Sequence, residues 1–249
     1  MLPIVEKHQP KIVFYHNPQR RDHRWIGNEA GVAGYPCWAR MTDLDAAERA
    51  HHGRIANWHH LLAHGDPNGK LWSPAMCDAP IREHEWFWRP SEDRKIQPLK
   101  RLVNMYYNSV GRNCNLILGA TPDRDGLIPK ADFRRYEELG RTIRKRFSKP
   151  VASTSGVGDS LELTLKEPHK IDHAIIMEDI ARGERVRQCV VEGLVPGSKW
   201  QKLCDGVSIG HKRIQQFKSV EVAKVRLECT KSVATPKIRE LALYFCGAG

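Results

Sequence analysis

The sequence contains no apolar run approaching the roughly 20 residues that a membrane-spanning helix requires, so no helical span is expected. No C-x-x-C pair occurs among its seven cysteines, and the number is odd. Neither a zinc ribbon nor a disulfide framework is indicated. Cys114, Cys189 and Cys229 sit in apolar strand-like runs and read as small buried hydrophobes. His51, His52, His59, His60 and His64 gather in one polar stretch beside Cys77, but not at the spacing of a zinc site. No metal and no cofactor is therefore expected. A net charge of +11 arrives without a helix-turn-helix, zinc-finger or RNA-recognition pattern, and the lysines and arginines are spread along the chain. Nucleic acid is not expected as a partner; an anionic glycan or cell surface explains the charge as well as anything. The first residues, MLPIVEKHQPKIVFYH, lack the basic start, apolar core and small-residue cleavage site of a signal peptide.

What is present divides into two halves of different period. Up to about residue 148, strand and helix signals alternate. KIVFYH (11–16), MCDAPI (76–81) and NCNLILG (113–119) read as short buried strands. Between the last two a helix is expected, capped by Ser91 and closed by Gly111, with Ile96, Leu99, Val103, Tyr106 and Val110 on one face. A second helix is expected over 130–147, with Phe133, Tyr136, Leu139, Ile143 and Phe147 inward. Alternating strands and helices point to a parallel α/β sheet or barrel. After Pro150 the period becomes two: LELTLKE, VRQCVVE, AKVRLEC and ELALYF alternate, with glycine and proline between them. That half reads as an antiparallel β-sandwich. The expected fold class is α/β followed by all-β, with domains at 1–148 and 149–249 and a linker in FSKPVASTSG (147–156).

Three stretches carry the chemistry. RWIGNEAG (24–31) places Glu29 between two glycines, the composition of a tight loop. GDPNGKLWSPAMCDAPIREHEWFWRP (65–90) and YYNSVGRNCNLILGATPDRDGLI (106–128) follow. Together, in this order, they resemble the second half of the catalytic domain of α-L-fucosidases, glycoside hydrolase family 29. MEDIARGERV, WQKLCDGVSIGHKRI and IRELALY resemble the galactose-binding-like β-sandwich often appended to these enzymes.

The resemblance implies a (β/α)8-like barrel with its site at the C-terminal ends of the strands, and a fucosylated glycan as substrate. It implies retaining hydrolysis of terminal α-L-fucose by double displacement, and the WIGNEAG form of the loop points to α-1,3/1,4 linkages. Such hydrolysis needs two carboxyl groups, one attacking the anomeric carbon and one acting as acid and then base. By resemblance Glu29 is the general acid/base, in a loop expected to be half-buried beside aromatic walls; the alternative is a solvated turn residue. Arg24 and Trp25 match the family's Arg-Trp pair near the sugar, although Arg24 also suits a structural ion pair. Trp86 and Phe87, with Trp88, stand where an aromatic packs on fucose, although each suits a core as well. Asp78 is expected to orient neighbours.

The family's nucleophile is an aspartate in a Trp-x-Asp-Gly context upstream of the acid. Only 28 residues precede Glu29, and no such motif occurs among them. Asp22 lies too close to the acid to match, so this chain offers no nucleophile. With three strand runs against the eight of a barrel, the chain by itself is expected to be an inactive fragment; the alternative is a non-catalytic carbohydrate-binding protein, with Trp200 as its candidate platform. Members of the family are commonly secreted, periplasmic or lysosomal, and the sequence does not choose among these compartments. It leaves an oligomer open.

Overall fold

The computed structural model describes residues 2–13, 22–42 and 58–247. Helix α1 spans Leu2–His8, and α2 spans Trp58–His64. Two short strands, β2 (Arg40–Met41) and β3 (Leu71–Trp72), pair into an antiparallel ribbon. Strands β1 (Arg24–Trp25), β4 (Ala75–Pro80) and β5 (Cys114–Gly119) form a parallel sheet in the order β1-β4-β5. Central β4 is buried along nearly its whole length, as expected of a parallel strand covered on both faces. The strand expected at 11–16 is not found where the chain is described: Lys11 and Ile12 lie in a turn and bend, and 14–16 fall outside the described residues.

The helix expected from Ser91 is shorter. Helix α3 runs Leu99–Asn108 with Pro98 at its N-cap. Proline sterically disfavours helical backbone at the residue before it, so the turn cannot extend back through Gln97. Ser91 adopts φ +63° in a preceding turn, and Asp93–Lys95 make one 3₁₀ turn. Gly111 does close the helix: its N–H bonds back to the Tyr106 carbonyl at 3.0 Å, and a Cβ there would lie 2.4 Å from the Tyr107 carbonyl oxygen. Helix α4 spans Lys130–Phe147 as expected. Phe133, read as inward, is 54% exposed; the buried member of that first turn is Asp132.

The remaining chain is one six-stranded antiparallel sheet, ordered β6-β11-β7-β10-β8-β9. Its strands are β6 (Ala152–Val157), β7 (Ser160–Glu178), β8 (Val186–Leu194), β9 (Trp200–Gly206), β10 (Arg213–Ser232) and β11 (Lys237–Tyr244). The stretch read as a linker is thus largely strand: β6 forms an edge against β11, from Ala152 opposite Leu243 to Val157 opposite Lys237. Strands β7 and β10, 19 and 20 residues long, exceed the usual strand. Register shifts between Gln216 and Val220 and between Val222 and Lys224 interrupt their pairing, and such bulges let a long strand bend. Ile171, Ile176, Val191, Val225, Leu227, Leu241 and Leu243 form the fully buried core of this half.

Helix α3 is apolar on two faces. Leu102 and Met105 pack on Ala79 of β4, while Val103 and Tyr107 pack on Ile175, Ile214, Ala242 and Tyr244 of the antiparallel sheet. A buried polar chain crosses the same junction. Arg146 Nη1 donates to the Tyr107 hydroxyl at 2.9 Å, which meets His173 Nε2 at 2.9 Å; His173 Nδ1 meets Asp172 at 2.6 Å. Asp172 also accepts the Cys246 and Gly247 N–H groups at 2.8 and 2.9 Å.

A second polar junction centres on Glu184, which is 3% exposed. Its carboxylate accepts the Ala39 N–H at 3.0 Å and the Asn113 amide. Asn113 sits at φ +63°, a conformation asparagine tolerates. It donates to the Cys37 carbonyl at 3.0 Å and accepts the His211 N–H at 2.7 Å. Gly210 passes so closely that a Cβ would lie 2.3 Å from the Asn113 amide carbon. Burial pushes the Glu184 carboxyl up to about 7, against the opposing hydrogen bonds from Ala39 and Asn113 and with Glu178 and Arg187 nearby. An unfolded glutamate titrates near 4.3. Between those values the folded protein holds a proton that the unfolded chain has lost, so this group's contribution to stability falls as pH rises from about 4.3 to about 7. Glu184→Gln should remove that slope, on the order of 4 kcal/mol at most. Urea melts at pH 5 and 7.5 check it: the variant should lose much of this downward contribution, leaving that of Glu178, which burial also pushes up, and the opposing one of His23, His64 and His211, which burial pushes down.

Candidate active site

The loop after β1 is built from backbone outward. Gly27 and Gly31 take φ +88° and +67°. The Asn28 side chain accepts the Ala30 N–H at 3.0 Å and donates to the Val32 carbonyl at 3.1 Å, folding the loop on itself. The Gly31 N–H bonds to the Asp78 carbonyl at 2.9 Å, pinning the loop to β4. A Cβ at Gly31 would sit 3.2 Å from the Ala79 Cβ, so the close approach also favours glycine. Glu29 stands at the tip of this turn. It is exposed rather than half-buried, and one aromatic braces it: Trp86 Nε1 donates to Glu29 Oε2 at 2.9 Å.

Trp86 arrives from the turn after β4, and its ring covers Gly119 at the end of β5, where a Cβ would meet the indole at 2.7 Å. Glu29 and Trp86 therefore meet at the C-terminal ends of all three parallel strands. Between them opens a cavity of about 320 Å³, walled further by Pro80, His84, Gln97 and Arg101. Glu29 is the only carboxylate among its lining residues. His84, at φ +58°, and Arg101, tied to Glu83 at its rim, supply cationic and hydrogen-bonding groups there.

The turn carrying Trp86 is anchored below by Arg82, which is wholly buried. Its Nε and Nη2 donate to the two oxygens of Asp132 at 3.1 and 2.7 Å, and Nη2 also reaches Asp93 at 2.9 Å. Thr121 donates to Asp132 at 3.0 Å. The cluster fastens the β4 exit to the first turn of α4.

Of the residues expected from sequence, the structure brings Glu29 and Trp86 together. Arg24 is not beside the cavity: it is 1% exposed, with Nε on the Leu62 carbonyl, Nη1 on the Trp38 and Ser73 carbonyls, and Nη2 on the Cys37 sulfur. Its donors are thus spent within the protein, where they hold the two-residue β1 to the backbone around it. Trp25 is half-buried with its indole N–H on Asp78 at 2.8 Å, so Asp78 does orient a neighbour. Phe87, 81% exposed, does not line the cavity. Pro80, Gln97, Arg101 and His84 were not legible as site residues; they are ordinary types, gathered by the fold of the chain after β4, where the Gln97 amide donates to the Pro80 carbonyl at 2.8 Å and α3 follows.

His51 and His52 fall outside the described residues. His60 stacks on His64 at 4.3 Å, and His64 Nδ1 meets the Pro36 carbonyl at 2.7 Å. Trp200 lies beneath the Arg226 guanidinium, 4.7 Å from its ring centre. Among the described residues one trio, Asp172, His173 and Cys246, has spacing that could hold a cation. The Asp172 and His173 atoms concerned already serve the hydrogen-bonded chain at the junction.

No family model matches the chain. It is 30% identical to alpha-L-fucosidase 1 of Arabidopsis thaliana over 97% of its own length and 53% of that protein. A crystal structure from Bacteroides thetaiotaomicron that carries a provisional α-L-fucosidase assignment superposes with TM-score 0.90 at 45% identity, covering 98% of this chain and 55% of the other. A glycoside hydrolase 29 family member from an unknown rumen bacterium superposes with TM-score 0.85 at 28% identity, covering 100% and 45%. The chain thus spans about half the length of the relatives it matches.

Removing one partner from a buried ion pair leaves an uncompensated charge. Asp132→Asn should therefore cost about 3 kcal/mol of stability and loosen the turn bearing Trp86. Chemical denaturation measures the first effect, and the accessibility of Trp86 to a fluorescence quencher the second.

Proposed function

We propose that this relative of the α-L-fucosidases of glycoside hydrolase family 29 carries the acid/base side of a retaining α-L-fucosidase site, with Glu29 as the proton donor and acceptor. The observation that carries this reading is the Glu29 carboxylate at the C-terminal ends of parallel strands, in a cavity where it is the one acid and one of its oxygens is held by an indole N–H. Trp86 binds Oε2 and leaves Oε1 as the oxygen for proton transfer. A proton passes from the carboxyl to the departing glycosidic oxygen, and the indole N–H then stabilises the carboxylate left behind. The carboxylate next takes a proton from water as that water attacks the glycosyl intermediate. The face of Trp86 suits the apolar side of a fucose ring, while His84 and Arg101 reach hydroxyls of the glycan beyond it.

The attacking carboxylate is proposed to come from polypeptide other than the described residues. Arg24 and Trp25 act through β1 and Asp78 rather than on the sugar, and Phe87 is read as an outer contact for a longer glycan. In this reading residues 1–148 form part of a (β/α)8-like barrel, 149–249 a galactose-binding-like β-sandwich, and the linkages cut are α-1,3/1,4.

A chimera tests this, with the chain replacing the matching segment of its 45% identical Bacteroides relative. It should hydrolyse an aryl α-L-fucoside. Glu29→Gln should lower kcat/KM by about 10² to 10⁴, and azide, which needs no base to attack, should restore turnover. A Glu29→Gln chimera within a few-fold of the parent would remove Glu29 from the role. Fucose binding without turnover in any form would favour a carbohydrate-binding protein.

A further inference from the structure

A second cleft lies at the opposite end of the parallel strands. Ala75 and Cys114, the first residues of β4 and β5, line it, whereas Pro80, the last residue of β4, lines the Glu29 cavity. The two are separated by the length of β4, roughly 17 Å. This cleft consists of two adjoining cavities of about 440 and 450 Å³ that share Trp72 and Ile180.

Trp72 stands between the two cavities with 41% of its surface exposed. Its cross-strand partner in the β2–β3 ribbon is Arg40, so their side chains lie side by side on one face. Arg40 and Lys70 line one cavity; Lys212, His211 and the Asn115 amide line the other. Neither cavity has an aspartate or glutamate among its lining residues. Arg40, Lys70 and Lys212 take part in none of the ion pairs among the described residues. Burial also pushes the Lys212 ammonium below its ordinary value in spite of the nearby Glu240.

We infer that this cleft is a binding site for an acidic polysaccharide, separate from the Glu29 cavity and independent of the function proposed for it. An exposed indole offers a flat apolar face to the C–H side of a sugar ring. Guanidinium and ammonium groups beside it pair with carboxylate or sulfate, and the Asn115 amide suits a hydroxyl. Nucleic acid fits less well. Duplex binding rests on cations spread along a face to follow successive phosphates, whereas here three line two cavities that share one indole.

Native affinity electrophoresis of the whole chain tests the site, with polygalacturonate, a sulfated galactan, neutral dextran and duplex DNA as separate probes. Retardation is expected in one or both acidic polysaccharides and not in dextran; the two acidic arms tell carboxylate from sulfate. Trp72→Ala should weaken binding at least tenfold, and so should the double variant Arg40→Gln/Lys70→Gln, which keeps the proposal testable if the tryptophan variant does not fold. Lys166→Gln/Lys170→Gln removes the same charge from the exposed face of β7 and should leave binding unchanged. The site is overturned if this control weakens binding as much as the cleft variants do. It is equally overturned if folded cleft variants bind like wild type, or if duplex DNA binds as tightly as either polysaccharide.

Discussion

The buried contact between Glu184 and Asn113 is where the two halves of the molecule become one structure. Glu184 hangs from the loop between β7 and β8, and Asn113 opens β5. From Asn113 the connections run to the Cys37 carbonyl, from the Cys37 sulfur to Arg24, and from Arg24 to the backbone around β1. β1 in turn delivers the loop bearing Glu29. A carboxyl group in the antiparallel half thus helps set the position of another in the parallel half, with no contact between them. Burial makes the linkage conditional: a fully buried carboxylate is costly to charge, and the Ala39 N–H, the Asn113 amide and the nearby Arg187 offset that cost only in part.

The site is economical in its polar groups. Two indoles each donate to one carboxylate, Trp25 to Asp78 and Trp86 to Glu29. The first pair is structural and joins β1 to β4. The second faces a cavity. The difference follows from position along parallel strands: Asp78 lies within β4, whereas Glu29 lies past the end of β1, where side chains from several strands converge on a space none of them fills. The same geometry at the other strand ends leaves Trp72 between its two basic cavities.

Much of this was legible in the sequence. Strands β4, β5, β8 and β11, helix α4 and the segments 161–167 of β7 and 223–229 of β10 follow from apolar runs and periods of two or 3.6 residues. The tight Gly-Asn-Glu-Ala-Gly turn follows from its composition. Three features show why the rest was not. β6 reads as a linker because Ala-Ser-Thr-Ser-Gly-Val is rich in turn residues; only the presence of β11 beside it makes it a strand. The start of α3 was misplaced because acidic residues and a possible cap at Ser91 looked like a helix opening, while Pro98 sets the true one. Its apolar stripe was half read as well: Val103 and Tyr106 belong to one face, but Leu102 and Met105 belong to a second, and one sequence cannot say that a helix will be covered from two sides. Arg24 shows the limit for sites. An arginine next to a candidate site loop is the same letter whether it faces ligand or carbonyl groups, and here four of its contacts are internal.

The long strands of the antiparallel half carry one further consequence. β7 and β10 run past one another for most of 19 and 20 residues, and each also borders another strand, β11 or β8. No pair of strands can be peeled away without opening a ladder that its neighbours share. Such a sheet has few places to open locally, so its amides should exchange with solvent together, at the slow rate of global unfolding. The parallel half, with two-residue strands at β1, β2 and β3, has no equivalent. The molecule therefore divides kinetically along a line that its packing does not mark: a slow-breathing sheet, and beside it a looser layer in which the Glu29 cavity can change shape while the sheet stays closed.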